Sequence, residues 1–189
     1  MVIKIFSFFV MTLCLIWATS VGISGNVGAT LPWQPDEKLR VFVQMVENPS
    51  LMRGEVEVEV YNDMGHKAKG YGTRAYLFTA NTRLEAERIM KWKLMEANNF
   101  INNLVTYPLT KHQRNALVSL VYNIGPTLFG NSDALKHLNK GEINKFLVEA
   151  FDHHRGFVCA GGKFNKALIK RRAQEEKIWR NGDYGPQNV

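Results

Sequence analysis

The sequence predicts an α+β fold in which strands are confined to one N-terminal lobe and all later elements are helices. Three observations carry this expectation. Valines alternate with glutamates in a single short tract, Gly54 to Val60. After Thr82, apolar residues recur every three or four positions almost to the end, and two threonine capping boxes mark helix starts there. With 189 residues, 46% of them hydrophobic, the chain can bury one sizeable core, so one folded domain is expected.

Lys4 is the sole charged side chain before Asp36. The stretch IFSFFVMTLCLIWATSVGI follows, and Val27-Gly28-Ala29 then supplies small residues that suit a signal peptidase cut before Thr30. The run from Ile5 to Ile23 is also near the roughly 20 residues that span a bilayer. Residues 1–29 therefore predict either a cleaved export signal or a retained signal-anchor, and residues 30–189 the folded domain. Both readings place the protein in the periplasm or outside the cell, the second with a transient attachment to the inner membrane.

The first helix is expected over DEKLRVFVQMVEN, with Leu39, Phe42, Val43 and Val46 on one face and Asn48-Pro49 ending it, which makes Glu47 its last residue. Val56, Val58 and Val60, alternating with Glu55, Glu57 and Glu59, predict a strand with one buried face. Asn62 to Gly65 make its turn, and HKAKGYGT returns as the other half of a small hairpin sheet. Thr82 with Glu85 opens a long helix to about Val105, carrying Ala86, Met90, Leu94, Ala97, Ile101 and Leu104 inward. Thr110 with Gln113 opens the next, which buries Leu117, Leu120, Val121 and Ile124 and closes at Gly125-Pro126. Short helices follow near Asp133 to Asn139 and Glu142 to Phe151, then a glycine-rich stretch to Gly162 and a final helix to about Trp179 to Gly182. Trp92 and Trp179 are expected in the core.

The net charge of +7 implies an anionic partner such as nucleic acid, bacterial wall or a membrane surface. No basic run is interleaved with aromatics as a nucleic-acid stacking platform requires, so nucleic acid is not expected. Cys159 has no partner for an internal disulfide outside the export segment; it is expected to pack, with a nucleophilic role as the alternative. His153-His154 beside Asp152 suggest a metal, but neighbours on a helix point apart and no third ligand has suitable spacing, so surface positions and no metal are expected.

An ordered set of motifs resembles the phage-type lysozymes, the endolysins of glycoside hydrolase family 24. These are Glu47 at a helix end, Tyr61-Asn62-Asp63, Ala68-Lys69-Gly70-Tyr71-Gly72, Leu84-Glu85-Ala86-Glu87-Arg88, Asn123-Ile124-Gly125, Leu138-Asn139-Lys140-Gly141, Ala160-Gly161-Gly162-Lys163 and Arg171-Arg172. The resemblance covers roughly residues 36 to 183 and implies a lysozyme-like fold, a peptidoglycan glycan substrate, no cofactor and a monomer. Breaking a glycosidic bond needs a carboxylic acid to protonate the leaving oxygen and a second carboxylate to stabilise the cation or guide water. The resemblance assigns these roles to Glu47 and Asp63. Glu55 is the alternative acid, though a solvated strand face explains it more simply.

Three departures from the family pattern stand out, one of them a segment from Asp63 to Gly70 that is about one residue short. The family's water-holding threonine falls on Ala68, so Thr73 is the candidate for a substitute hydroxyl, and Asn48 to Gly54 read as an insertion that shifts Asp63 from Glu47. Tyr71, Asn123, Gly161, Gly162 and Lys163 are the candidate substrate contacts. For Asn123 a helix-capping role competes, and for the glycines a plain interhelical turn. Arg171-Arg172 with Glu175 and Glu176 reads as a helix-stabilising charge pattern. The implied activity is muramidase action on the β-1,4 bond between N-acetylmuramic acid and N-acetylglucosamine. Two rivals are a lysozyme fold that binds wall glycan without cutting it and a membrane-acting lytic factor.

Overall fold

The computed structural model describes residues 33–63, 66–75 and 80–186, and the predicted export segment lies outside them. Helix α1 (Glu37–Glu47) is capped by Asp36, whose carboxylate accepts from the Leu39 amide at 2.9 Å. It buries Leu39, Phe42 and Val43, each such burial contributing about 1.5–3 kcal/mol. Val46, expected on that face, is 37% exposed.

Asn48 ends α1 but the chain does not leave helical geometry for long, because α2 (Pro49–Met52) begins at once with a proline suited to its first turn. Pro49–Met52 thus form an element of their own, anchored by the burial of Leu51.

The tract after it corrects the predicted strand. Residues 53–59 form turns and bends, and β1 (Val60–Asp63) takes up only the end of the alternation. Val58 is buried, whereas Val56 and Val60 are exposed. Alternation produces a strand when a neighbouring surface covers one face. Here that surface is missing, and Glu55 turns instead to Arg53 on the exterior, 2.7 Å away. Strands β2 (His66–Lys69) and β3 (Thr73–Arg74) complete an antiparallel sheet in the order β1-β2-β3, with Tyr61 opposite Ala68 and Lys69 opposite Thr73.

Both predicted capping boxes are present, opening α3 (Arg83–Leu104) and α4 (Lys111–Ile124). Helix α4 is buried at every position from Asn115 to Val121 and packs against α1, α3 and α8, so it forms the centre of the core. Pro126, read as a terminator, instead starts α5 (Pro126–Gly130); α6 (Asp133–Asn139) and α7 (Ile143–Phe151) follow. The glycine-rich stretch is neither a plain turn nor a loop but a hairpin, β4 (Cys159–Ala160) with β5 (Lys163–Phe164), leading into α8 (Lys166–Asn181). Trp179 is core as expected, but Trp92 is 46% exposed. Among the described residues no helix is long and apolar enough to cross a membrane.

The start of α1, the start of α4 and the segment after α8 meet at one polar cluster. The Asn115 amide donates to the Tyr184 hydroxyl at 2.7 Å and to the Asp36 carboxylate at 3.1 Å, and Lys111 lies 3.0 Å from Asp36. Burial by itself raises the Asp36 carboxyl, but bonds from the Leu39 amide, Lys111 and Asn115 outweigh it and hold the group below its ordinary 3.8. A depressed folded value stabilises the protein above the unfolded value, and that contribution is lost as pH falls through the folded one. Asp36→Ala is therefore expected to cost about 1–2 kcal/mol at pH 7. The gap from the parent should narrow progressively below pH 3.8, as thermal unfolding at a series of pH values would show.

Candidate active site

A cleft of about 880 Å³ runs between α1, Tyr61 of β1, the end of α4, the β4–β5 hairpin and one face of α8. That volume lies in the usual range for ligand clefts, about 300–1,000 Å³. Glu47 enters it from the last position of α1, with its side chain 13% exposed. One carboxylate oxygen accepts from Nη1 of Arg171. The other faces Gly72 so closely that a Cβ there would sit 2.5 Å from it. Gly72 also has φ +74°, a conformation that side chains disfavour, so two separate constraints demand glycine.

The turn that carries Gly72 is held from four sides. Nδ2 of Asn48 donates to the Gly70 carbonyl at 3.2 Å, while Oδ1 of the same side chain caps α2. The Gly72 amide donates to the Tyr61 hydroxyl at 3.0 Å, the Tyr122 hydroxyl donates to the Tyr71 carbonyl, and Gln44 donates to the Tyr71 hydroxyl at 3.4 Å. Burial first, and the nearby Glu47 charge second, push the Tyr122 phenol well above its ordinary value, so it stays a neutral donor.

Arg171 is a buried hub rather than the surface charge its helical spacing suggested. Only 5% exposed, it donates through Nε to Glu175 at 3.0 Å, through Nη1 to Glu47 and through Nη2 to Ser119. Ser119 in turn donates to Glu175 at 2.6 Å. Burial pulls the Arg171 guanidinium down, but the two carboxylates more than compensate and leave it raised. Arg172 is fully buried next to it and donates to Asn123 at 2.8 Å. Its Nε lies 2.9 Å from Glu175 Oε2 in an alignment too poor for a hydrogen bond, so that contact is ionic. Burial draws Arg172 down to about 10.

The sequence-predicted residues fare unequally. Glu47 and Asn123 line the cleft, and Asn123 is held by Arg172 instead of capping α4 with its side chain. Asp63 ends β1 opposite His66; its side chain lies outside the described positions. Thr73 is 5% exposed and bonds the Tyr122 hydroxyl. Tyr71 is 1% exposed and belongs to the core beneath the turn. Gly161 and Gly162 form the exposed tip of the β4–β5 hairpin, with Lys163 exposed next to them. Glu55, the alternative acid, is exposed and paired with Arg53. Cys159, expected to pack, is exposed on the cleft wall. The rings of His153 and His154 do not diverge, because they leave a turn rather than a helix; their centroids lie 4.0 Å apart on the surface with the planes tilted by 48°.

Sequence reasoning missed Gly72, Tyr122, Ser119 and the buried role of Arg171, Arg172 and Glu175. The Gly-Tyr-Gly spacing was the available signal for the first. No local signal distinguishes a buried i,i+4 ion pair from an exposed one.

The profile of the phage lysozyme family matches residues 54–175, so the chain belongs to that family. Glu47 precedes the matched segment, and its place in the site rests on the geometry above. An endolysin of Acyrthosiphon pisum secondary endosymbiont phage 1 is 31% identical over 61% of this chain and 80% of its own length. A SAR-endolysin of Escherichia phage Mu is 39% identical over 42% of the chain and 44% of its own, and an endolysin of Bacillus phage B103 28% identical over 68% and 46%. The chain thus spans about half the length of the last two relatives. Among solved structures, the endolysin from Escherichia coli O157:H7 phage FAHEc1 overlays with a TM-score of 0.63 at 25% identity, covering 82% of this chain and all of that one. The muramidase domain of SpmX from Asticaccaulis excentricus gives 0.62 at 26%, covering 77% and 97%. The fold is lysozyme-like.

Removing one member of a buried ion network leaves its partners uncompensated. Glu175→Ala is expected to destabilise the protein by about 3–5 kcal/mol. Glu176→Ala, which breaks the surface pair with Arg180 on the same helix, should cost about 0–1 kcal/mol. Denaturant unfolding of the two variants measures the contrast.

Proposed function

We propose that the protein is an exported muramidase that hydrolyses the β-1,4 bond between N-acetylmuramic acid and N-acetylglucosamine of peptidoglycan. The observation that carries this reading is Glu47, a carboxyl group almost enclosed in the wall of a ligand-sized cleft, with one oxygen on Arg171 and the other against Gly72. The muramidase and endolysin relatives support the same chemistry.

Glu47 donates its proton to the leaving oxygen, and Asp63 is the second carboxylate that stabilises the sugar cation or orients water. When Glu47 is protonated, Arg171 keeps the negative partner it needs in Glu175, so the acid can change charge without stranding a buried guanidinium. Thr73 does not replace the family's water-holding threonine in this scheme; buried against Tyr122, it steadies the Gly-Tyr-Gly turn. Tyr71 supports that turn from the core, Asn123 contacts the glycan from the cleft wall, and Gly161, Gly162 and Lys163 contact it from the hairpin tip. The net charge of +7 attracts the protein to an anionic wall, an attraction that salt weakens. Residues 1–29 direct export, and the SAR-endolysin relatives support a transient membrane anchor there.

Ala68 favours one second reading. It is 3% exposed and has no hydroxyl at the position where the resemblance implies a water-holding threonine, as in a fold kept for binding glycan.

Reducing-end release from purified peptidoglycan decides between them. The parent should release new ends and Glu47→Gln should release none while unfolding at nearly the same temperature. Retained glycan binding without release by the parent would establish the second reading. Gly72→Ala forces the Glu47 carboxylate from its place, and a displacement near 1 Å predicts a rate loss of about a hundredfold.

A further inference from the structure

The geometry points to Lys170 as the residue that recognises a carboxylate on the lactyl-peptide branch of muramic acid. This rests on peptidoglycan being the substrate, as proposed above, but not on its being cut.

Helix α8 presents Ala167, Lys170, Arg171 and Gln174 to the cleft. Arg171 is 5% exposed, and each of its three nitrogens is already engaged, by Glu175, Glu47 and Ser119. Lys170 is exposed in the same wall and has no ion-pair partner among the described residues. Its helical neighbours three and four positions away are Lys166, Ala167, Ala173 and Gln174, none of them acidic. Arg83, Lys136 and Arg180 each have an acid within one turn, Glu87, Asp133 and Glu176 respectively, and Lys170 has none. Lys166, one turn before Lys170, repeats its charge, an arrangement that helices disfavour. Glu47 is the sole acidic residue among the described residues lining the cleft, and Arg171 holds it. The cleft wall therefore carries an uncompensated positive charge.

A glycan strand offers few groups that such a charge could meet. N-acetylglucosamine is neutral. Muramic acid carries a lactyl ether whose carboxyl is either free or joined to a peptide with carboxylates of its own. An ammonium on a flexible four-carbon stem can meet a carboxylate in either place as a point charge.

The test is equilibrium binding of the full chain, its Lys170→Met variant and its Lys170→Arg variant, measured calorimetrically in the cold. Three probes are used: a muramic acid tetrasaccharide bearing its peptides, the same glycan with the peptides removed to free the lactyl carboxylate, and a neutral N-acetylglucosamine oligomer. Lys170→Met should weaken binding of a carboxylate-bearing probe by roughly tenfold or more and leave the neutral oligomer unchanged, with Lys170→Arg restoring affinity and added salt closing the gap. The probe that loses affinity identifies which carboxylate is read. An equal loss on all three probes, no loss on any, or no binding by the parent would overturn the proposal. Lysine-dependent binding by a parent that releases no reducing ends would refute the cutting reading alone, and cutting that ignores Lys170 would refute this one alone.

Discussion

Arg171 carries a full charge at 5% exposure, and a charge so placed must be balanced by groups that are themselves held in place. Glu175 and Ser119 supply one side of that balance from α8 and α4, the helices at the centre of the core. Glu47 supplies the other from the end of α1. The network therefore fastens the terminus of the first helix to the core at the point where the cleft opens. Replacing such a network by apolar residues is often neutral or stabilising in proteins generally. Stability alone gives it little justification, whereas the acid role proposed for Glu47 would require a partner that tolerates both protonation states.

The second face of Glu47 depends on backbone rather than charge. Gly72 abuts the carboxylate because the Gly-Tyr-Gly turn is tied to Asn48, Tyr61 and Tyr122, residues from the loop after α1, the sheet and the helical core. Asn48 does this while capping α2, so the segment directly after α1 helps hold the turn beside Glu47.

The cleft that results has an uneven character. Glu47 and Arg171 pair with each other in its lining, Phe42, Val46 and Leu168 give it apolar surface, and Lys170 adds a positive charge to one wall. Such a surface is compatible with the proposed substrate, a glycan whose rings are largely neutral and whose branches are anionic.

The sequence by itself determined the helices that carry their own termination signals. Thr82 with Glu85, Thr110 with Gln113 and Gly182 after the last helix are local chemistry, satisfied within a few residues, and the structure reproduces each of them. The order of helix, small sheet and helices, and the position of Glu47 at a helix end, were legible for the same reason. Tertiary structure alone decided whether a pattern found a partner surface. The valine and glutamate alternation lost its strand because only Val58 met the core, Trp92 stayed outside while Trp179 went in, and the Arg171, Arg172 and Glu175 spacing became a buried network instead of a solvated one. Spacing along one helix fixes which side chains are neighbours on its surface, but the dielectric around them is set by the other elements that cover it.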